Sequence, residues 1–113
     1  MKVNPIRLLG GPRWPAGPKA ETLAASIKRK MAQNDRDEAS AIFKRALVID
    51  SRTPGFAERV LESAPIFAAF VAKIAIDEIM AKLDLEKEKA RELQKLAEEY
   101  ARRAKIVPPA QSL

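Results

Sequence analysis

The sequence predicts an all-α protein in which short helices pack on one long C-terminal helix, preceded by an extended Pro/Gly-rich basic arm. After residue 18, apolar residues recur three and four positions apart, which is the spacing of an amphipathic helix. Before it, prolines and glycines interrupt every helical stretch. Residues 1–34 hold seven basic side chains against one acidic. Because the rest of the chain is neutral in sum, the net charge of +6 lies in this N-terminal third.

Three regions follow from this composition: an arm at residues 1–18, a helical domain at residues 19–107 and a short tail at residues 108–113. Four prolines in the arm fix φ and favour extended backbone before them, and Gly10 and Gly11 break any helix. Such a segment cannot bury its own backbone, so we expect it to become ordered on a partner surface. The prolines are Pro5, Pro12, Pro15 and Pro18.

Two helices are predicted directly after the arm. The first spans residues 19–33, where apolar side chains recur at every fourth position. The second spans residues 35–49, and Asp35 with a glutamate three residues later has the capping-box spacing of a helix start. The inward positions of the first helix are Leu23, Ile27 and Met31.

Two breaks that contain proline predict further helix starts. Thr53 is a suitable N-cap with Pro54 in the first turn, and the last helix begins in the same way at Pro65. From there to about Ile106 nothing interrupts the helical pattern, so a continuous helix would span about 60 Å. The pattern leaves open whether this helix is straight or folds back near Leu83 to Leu85.

The second half of this long helix is charged apart from a narrow apolar seam. The seam positions alternate steps of four and three residues, which is the period of a coiled coil. We expect the other helices to form a body too small to cover the seam, so the seam is predicted to pack against another subunit. A solvent-exposed single helix is the alternative. The predicted subunit-interface residues are Ile79, Leu83, Ala90, Leu93, Ala97, Tyr100 and Ala104.

The composition offers little for catalysis. The chain has no Cys and no His, which removes thiol nucleophiles, imidazole acid–base chemistry and most transition-metal sites. The cluster Asp35, Asp37 and Glu38 is explained by the capping of a helix start. The Gly/Pro stretch at residues 10–19 lacks the Gly-Lys-Ser/Thr ending of a phosphate loop. We therefore expect a protein that is not an enzyme, with no cofactor, metal or small-molecule substrate.

The arm and the first helix are instead suited to a polyanion. Arginine forks onto phosphate oxygens and lysine supplies a point charge. Trp14 either packs on a sugar or base or anchors the arm on the helical body. Lys28, Arg29 and Lys30 span about 200° of a helix, so they cannot all face one partner, and a solvated face also explains them. The predicted nucleic-acid-binding residues are Lys2, Arg7, Arg13, Trp14, Lys19, Lys28, Arg29 and Lys30.

A second group of basic residues could extend this surface. We expect these residues to contribute less to binding, because acidic residues lie between them along the sequence. The group consists of Lys44, Arg45, Arg52 and Arg59.

The basic arm, the helical body, the long helix and the absence of Cys together resemble the coat proteins of filamentous archaeal viruses. The resemblance is one of architecture and covers the whole chain. In that family, small all-helical subunits, often two related ones, wrap double-stranded DNA in A-form along a filament. The resemblance implies that the basic residues of the arm and first helix contact phosphate and that the chain belongs to a virion. The acidic residues after position 35 depart from that pattern.

These observations predict a structural protein that packages double-stranded DNA non-specifically and polymerises with itself or a related helical subunit. The alternative is a small, cytoplasmic accessory subunit of a protein or ribonucleoprotein assembly, whose arm threads into a groove of its partner. Ordered self-assembly separates the two. The apolar stretches are too short for a signal peptide or a membrane span, so neither is expected. The pattern does not distinguish DNA from RNA.

Overall fold

The structure is a computed structural model that describes residues 19–105, and this part of the chain contains six α-helices and no strand. The all-helical prediction is confirmed, including a C-terminal helix that is the longest of the six. The arm, the tail and residues 106–107 of the predicted helical domain lie outside the described residues. The helices are α1 (Ala20–Ala32), α2 (Arg36–Asp50), α3 (Phe56–Ser63), α4 (Pro65–Lys73), α5 (Ile76–Leu83) and α6 (Lys87–Arg103).

The turn between α1 and α2 follows the predicted stop and restart. Asn34 adopts the left-handed conformation with φ 64°, and its amide and that of Asp35 donate to the carbonyls of Met31 and Lys30 at 2.9 and 2.8 Å. These two bonds form a Schellman motif, which satisfies the last carbonyls of α1. The Asp35 carboxylate then accepts from the amide of Glu38 at 3.1 Å and caps α2.

The start of α3 differs from the prediction. Its N-cap is Gly55 rather than Thr53, and Gly55 has φ 91°, a conformation that other residues rarely adopt. The capping carboxylate comes from the end of α2, because Asp50 Oδ1 accepts from the amide of Ala57 at 3.0 Å. The prediction missed this cap because the donor and the acceptor are seven residues apart, outside the local spacing of a capping box.

The helical pattern from Pro65 to about Ile106 is broken twice, so the long C-terminal helix is α6 alone and does not begin at Pro65. The first break is at Ile74 and Ala75, which are extended with ψ 162° and 150°. The carboxamide of Gln94 donates to the carbonyls of Val71 and Ile74 at 3.2 and 2.7 Å. A side chain of α6 thus replaces helical hydrogen bonds that α4 lacks at its end.

The second break lies where the sequence left a fold-back open. Asp84 is in the left-handed conformation with φ 55°, and the amide of Leu85 donates to the carbonyl of Met80 at 3.2 Å. Aspartate tolerates this conformation better than most residues. The turn reverses the chain, so α6 packs against both α4 and α5.

One core joins all six helices. Helices α1, α2 and α3 pack on one another, α4 lies between them and α6, and α5 bridges α2 and α6. At its centre, the ring of Phe67 is 5.2 Å from that of Phe43 and 5.8 Å from that of Phe70, measured between centroids. Such tilted aromatic pairs stabilise the core beyond the gain from burying their apolar surface. No helix within residues 19–105 is both long and apolar enough to cross a membrane.

The seam of α5 and α6 is covered by the chain itself. Five of its seven residues are buried, and Ile79, Ala90 and Ala97 have no exposed surface at all. Tyr100 is half-buried and Ala104 is exposed. The expectation that the body is too small to cover the seam is wrong, because the two breaks fold α5 and α6 back onto α2, α3 and α4. The buried residues are Ile79, Leu83, Ala90, Leu93 and Ala97.

Candidate nucleic-acid interface

The predicted basic residues of the first helix are divided between its two ends. Lys19 is the N-cap of α1, whereas Lys28, Arg29 and Lys30 occupy its last turns, about 14–17 Å away along the axis. The structure does not bring these two groups together. The other predicted binding residues, Lys2, Arg7, Arg13 and Trp14, lie outside the described residues.

The Lys28–Lys30 group faces several directions. Lys28 and Arg29 are exposed and Lys30 is half-buried, and the inward-facing Ile27 separates Lys28 from Lys30 around the helix. Cations in the last turn of a helix are favoured by the helix dipole. The same end of the molecule holds the acidic start of α2, with Asp35 as its cap. A structural role at the end of α1 therefore accounts for these three residues.

The end of α1 at which the arm joins the domain carries a different group of cations. A shallow pocket of about 500 Å³ lies here between the starts of α1 and α3 and the end of α2. We call it the Lys19 pocket; Lys19 lines it from the start of α1 and Arg59 from α3, and Glu21 is its single acidic residue. Arg52, also exposed, lies in the loop that forms its edge. Two cations therefore lie at the point where the arm joins the domain, with a third in the adjacent loop.

The exposed face of α2 extends this positive region. Lys44 and Arg45 project to solvent one to two turns before the end of the helix, on the same face as Val48, which is 62% exposed. We call the five exposed cations at this end the arm-proximal basic surface. None of them forms an ion pair with another side chain of residues 19–105. They are Lys19, Lys44, Arg45, Arg52 and Arg59.

The sequence predicted only a minor binding role for four of these five residues, because acidic residues lie between them along the chain. The structure separates those acids from the cations. The Asp50 carboxylate accepts from the amide of Ala57, and both Asp50 and Glu58 line a different groove from the Lys19 pocket. The signal that could have found the group was the helical spacing of Lys44, Arg45 and Val48, which places them on one face.

A charged groove elsewhere on the domain carries equal numbers of acidic and basic side chains. It lies between the α1–α2 turn and α5, and contains the ion pair of Lys82 Nζ with Asp37 Oδ1 at 2.6 Å. This hydrogen bond lowers the pKa of Asp37 and raises that of Lys82. The guanidinium of Arg36 lies 5.6 Å above the centroid of the Phe70 ring. Three acidic and three basic side chains line this groove, so their formal charges cancel.

Neither the acidic side chains nor similarity to known proteins indicates a further functional site. Within residues 19–105, no three acidic side chains are placed to hold a metal ion together. No protein-family model, curated protein or solved structure matches this chain. Function therefore has to be inferred from the charge, burial and geometry of the chain itself.

Proposed function

We propose that this chain is a structural protein that binds the phosphate backbone of double-stranded DNA without sequence specificity. Binding uses the N-terminal arm together with the arm-proximal basic surface. The observation that supports this is the position of that surface: Lys19 and Arg59 line one pocket where the arm joins the domain, and the other three exposed cations lie in the adjacent loop or within two turns of it on α2. None of the five forms an ion pair within residues 19–105. The arm itself carries three further cations and no acid. The sequence of the arm thus adds positive charge to the side of the domain that already carries these five cations.

The chemistry of this region suits phosphate rather than base edges. Arg52 and Arg59 offer planar guanidinium groups that fork onto phosphate oxygens, and Lys19 and Lys44 offer compact charges. Binding of this kind releases counterions from the duplex, so the affinity falls steeply as salt is added. Arg7 and Arg13 would extend the contact along the strand from the arm.

A packaging role of the coat-protein kind needs contacts between copies, and the seam does not offer them. Side chains such as Ile79 and Ala97 are already inaccessible within one chain. Copies arranged along DNA would meet through exposed surface instead, where Ile66 is a large apolar side chain at 52% exposure. The same burial favours the accessory-subunit alternative, because five of the seven seam residues are covered without a second copy.

The test is the fluorescence anisotropy of a labelled DNA duplex titrated with protein over a series of salt concentrations. The full chain should show a log–log slope of roughly −3 to −6, since each neutralised phosphate contributes about −0.9. A variant lacking residues 1–18 should bind more weakly with a shallower slope. The double variant Arg52→Glu, Arg59→Glu should weaken binding to every duplex sequence to a similar extent.

A matched control separates a local site from a general charge effect. The double variant Lys87→Glu, Arg91→Glu makes the same change in net charge on exposed positions of α6. It should bind nearly as the unchanged protein does. If the full chain does not bind duplex DNA at low salt, the proposal is wrong and the accessory-subunit function takes its place. Equal losses in the two double variants would show that net charge alone attracts the DNA.

A further inference from the structure

A second groove of the domain has an apolar floor that the described residues leave partly uncovered. It has a volume of about 270 Å³ and lies between the end of α2, the start of α3 and the first half of α6. Leucine side chains form its floor, and three of the four are only half-buried. Uncovered apolar surface of this kind gains free energy when another apolar side chain covers it. The leucines are Leu47, Leu85, Leu93 and Leu96.

The rim of this groove is acidic. Asp50, Glu58 and Glu92 line it against a single cation, Lys89, whose Nζ lies 4.0 Å from a Glu92 carboxylate oxygen. The negative charge continues along α3 beyond the groove. Burial raises the pKa of Tyr100, and the carboxylates of Glu58 and Glu62 raise it further. We call this region, with its leucine floor and acidic rim, the acidic groove; its occupant should be both apolar and positively charged.

We propose that the acidic groove is the docking site for the chain's own N-terminal arm, with Trp14 on the leucine floor and Arg13 facing the acidic rim. The arm carries three cations, no acid and the only tryptophan of the chain. Arg13 and Trp14 are adjacent, so one dipeptide supplies both properties that the groove requires. Indole adds a large apolar surface at a small cost in conformational freedom.

The position of Lys19 favours the chain's own arm over that of a second copy. The acidic groove and the Lys19 pocket share one wall, the segment 49–57: Thr53 and Phe56 face the pocket, and Asp50 and Ala57 face the groove. The five residues from Trp14 to Lys19 reach up to about 17 Å when extended. A tether this short gives an effective concentration on the order of millimolar, which a second copy does not reach in dilute solution.

This docking does not depend on the proposed function, because it involves no nucleic acid. If both hold, the acidic groove and DNA compete for Arg13 and Trp14. The negative rim then acts as an internal substitute for phosphate, and the arm leaves it when a duplex is present. Docking is therefore measured first in the absence of any nucleic acid.

The test uses the fluorescence of Trp14 in the full chain, since no other tryptophan contributes. Docking predicts emission at short wavelength and protection from acrylamide quenching, both independent of protein concentration. The double variant Glu58→Lys, Glu92→Lys reverses two exposed rim charges and should lower the ratio of docked to undocked arm by roughly tenfold. Emission then shifts to longer wavelength and quenching increases. Far-UV circular dichroism checks that the variant remains helical.

Two further variants make the result specific. The control Glu88→Lys, Glu98→Lys changes two exposed acids of α6 outside the groove and should leave Trp14 protected. Arg13→Glu should release Trp14, and combining it with Glu58→Lys and Glu92→Lys should restore protection. The proposal is overturned if Trp14 is exposed in the unchanged chain or if its protection rises with protein concentration. Equal release by the rim and control variants also overturns it.

Discussion

The ion pair between Asp37 and Lys82 links two helices that are distant in sequence. The two residues are 45 positions apart, and their side chains meet at 2.6 Å. Lys82 Nζ also lies 3.8 Å from the carboxylate of Glu78, one turn earlier on α5. The Lys82 side chain is 22% exposed, whereas that of Asp37 is 87% exposed. Solvent therefore screens the pair, and its contribution to stability is small.

This pair predicts a specific dependence of stability on pH. Lys82 lowers the pKa of Asp37 from its ordinary value of 3.8. The stabilisation is therefore complete above that value and is lost as the pH falls through the lowered pKa of Asp37. Asp37→Asn should reduce stability at neutral pH, and its difference from the unchanged protein should shrink in acid. Urea unfolding followed by circular dichroism at a series of pH values measures this.

The change in stability at alkaline pH follows from Lys82, the partner of Asp37. The hydrogen bond with Asp37 raises the pKa of Lys82 above 10.5, so the stabilisation lasts below 10.5 and is lost as the pH rises through the raised value. Asp77→Asn is the control, since Asp77 is exposed and forms no ion pair within residues 19–105. A destabilisation by Asp37→Asn that is the same at all pH values would contradict this account.

At the scale of the helices, residues in the left-handed backbone conformation mark the points where the chain turns. Asn34 ends α1 and Asp84 ends α5, each with a positive φ and a backbone hydrogen bond that closes the last helical turn. Aspartate reaches this conformation only at some cost, whereas glycine reaches it freely. The turn at Asp84 directs α6 back onto the core, so its conformation matters for the whole fold.

Asp84→Gly should therefore stabilise the protein although glycine ordinarily weakens helices. Removing the strain of the left-handed conformation should raise the free energy of unfolding by up to about 1 kcal/mol. Ala81→Gly, at an exposed position within the same helix, should lower it by about 1 kcal/mol. Urea denaturation of the two variants measures both changes. A loss of stability in Asp84→Gly would show that the aspartate side chain holds the turn.

At the scale of the whole molecule, one chain buries the surface that the sequence assigned to an interface. Ile79 is completely buried by helices of its own chain. Packing of this kind depends on the two breaks on either side of α5, which bring α5 and α6 onto α2, α3 and α4. Most of the seam is consequently covered without a second copy.

Ile79→Ala tests this directly. Removing a fully buried isoleucine side chain should cost about 2–5 kcal/mol of unfolding free energy. Because the contacts are within one chain, the loss should be the same at every protein concentration. Val48→Ala, on the exposed face of α2, should change stability by less than about 0.5 kcal/mol. A melting temperature of the unchanged protein that rises with its concentration would point to a subunit interface at the seam instead.

The sequence by itself determined the all-helical class, the first two helices and the cap at Asp35, because apolar spacing and capping are local properties. It also placed the excess of positive charge in the N-terminal third. Only the tertiary structure decided that the last helix is three helices, since the bonds of Gln94 to the end of α4 depend on packing rather than on neighbours in sequence. It likewise joined Lys19, Arg52 and Arg59 at one end of the domain, because spatial proximity of charges follows from helix packing and not from their order along the chain.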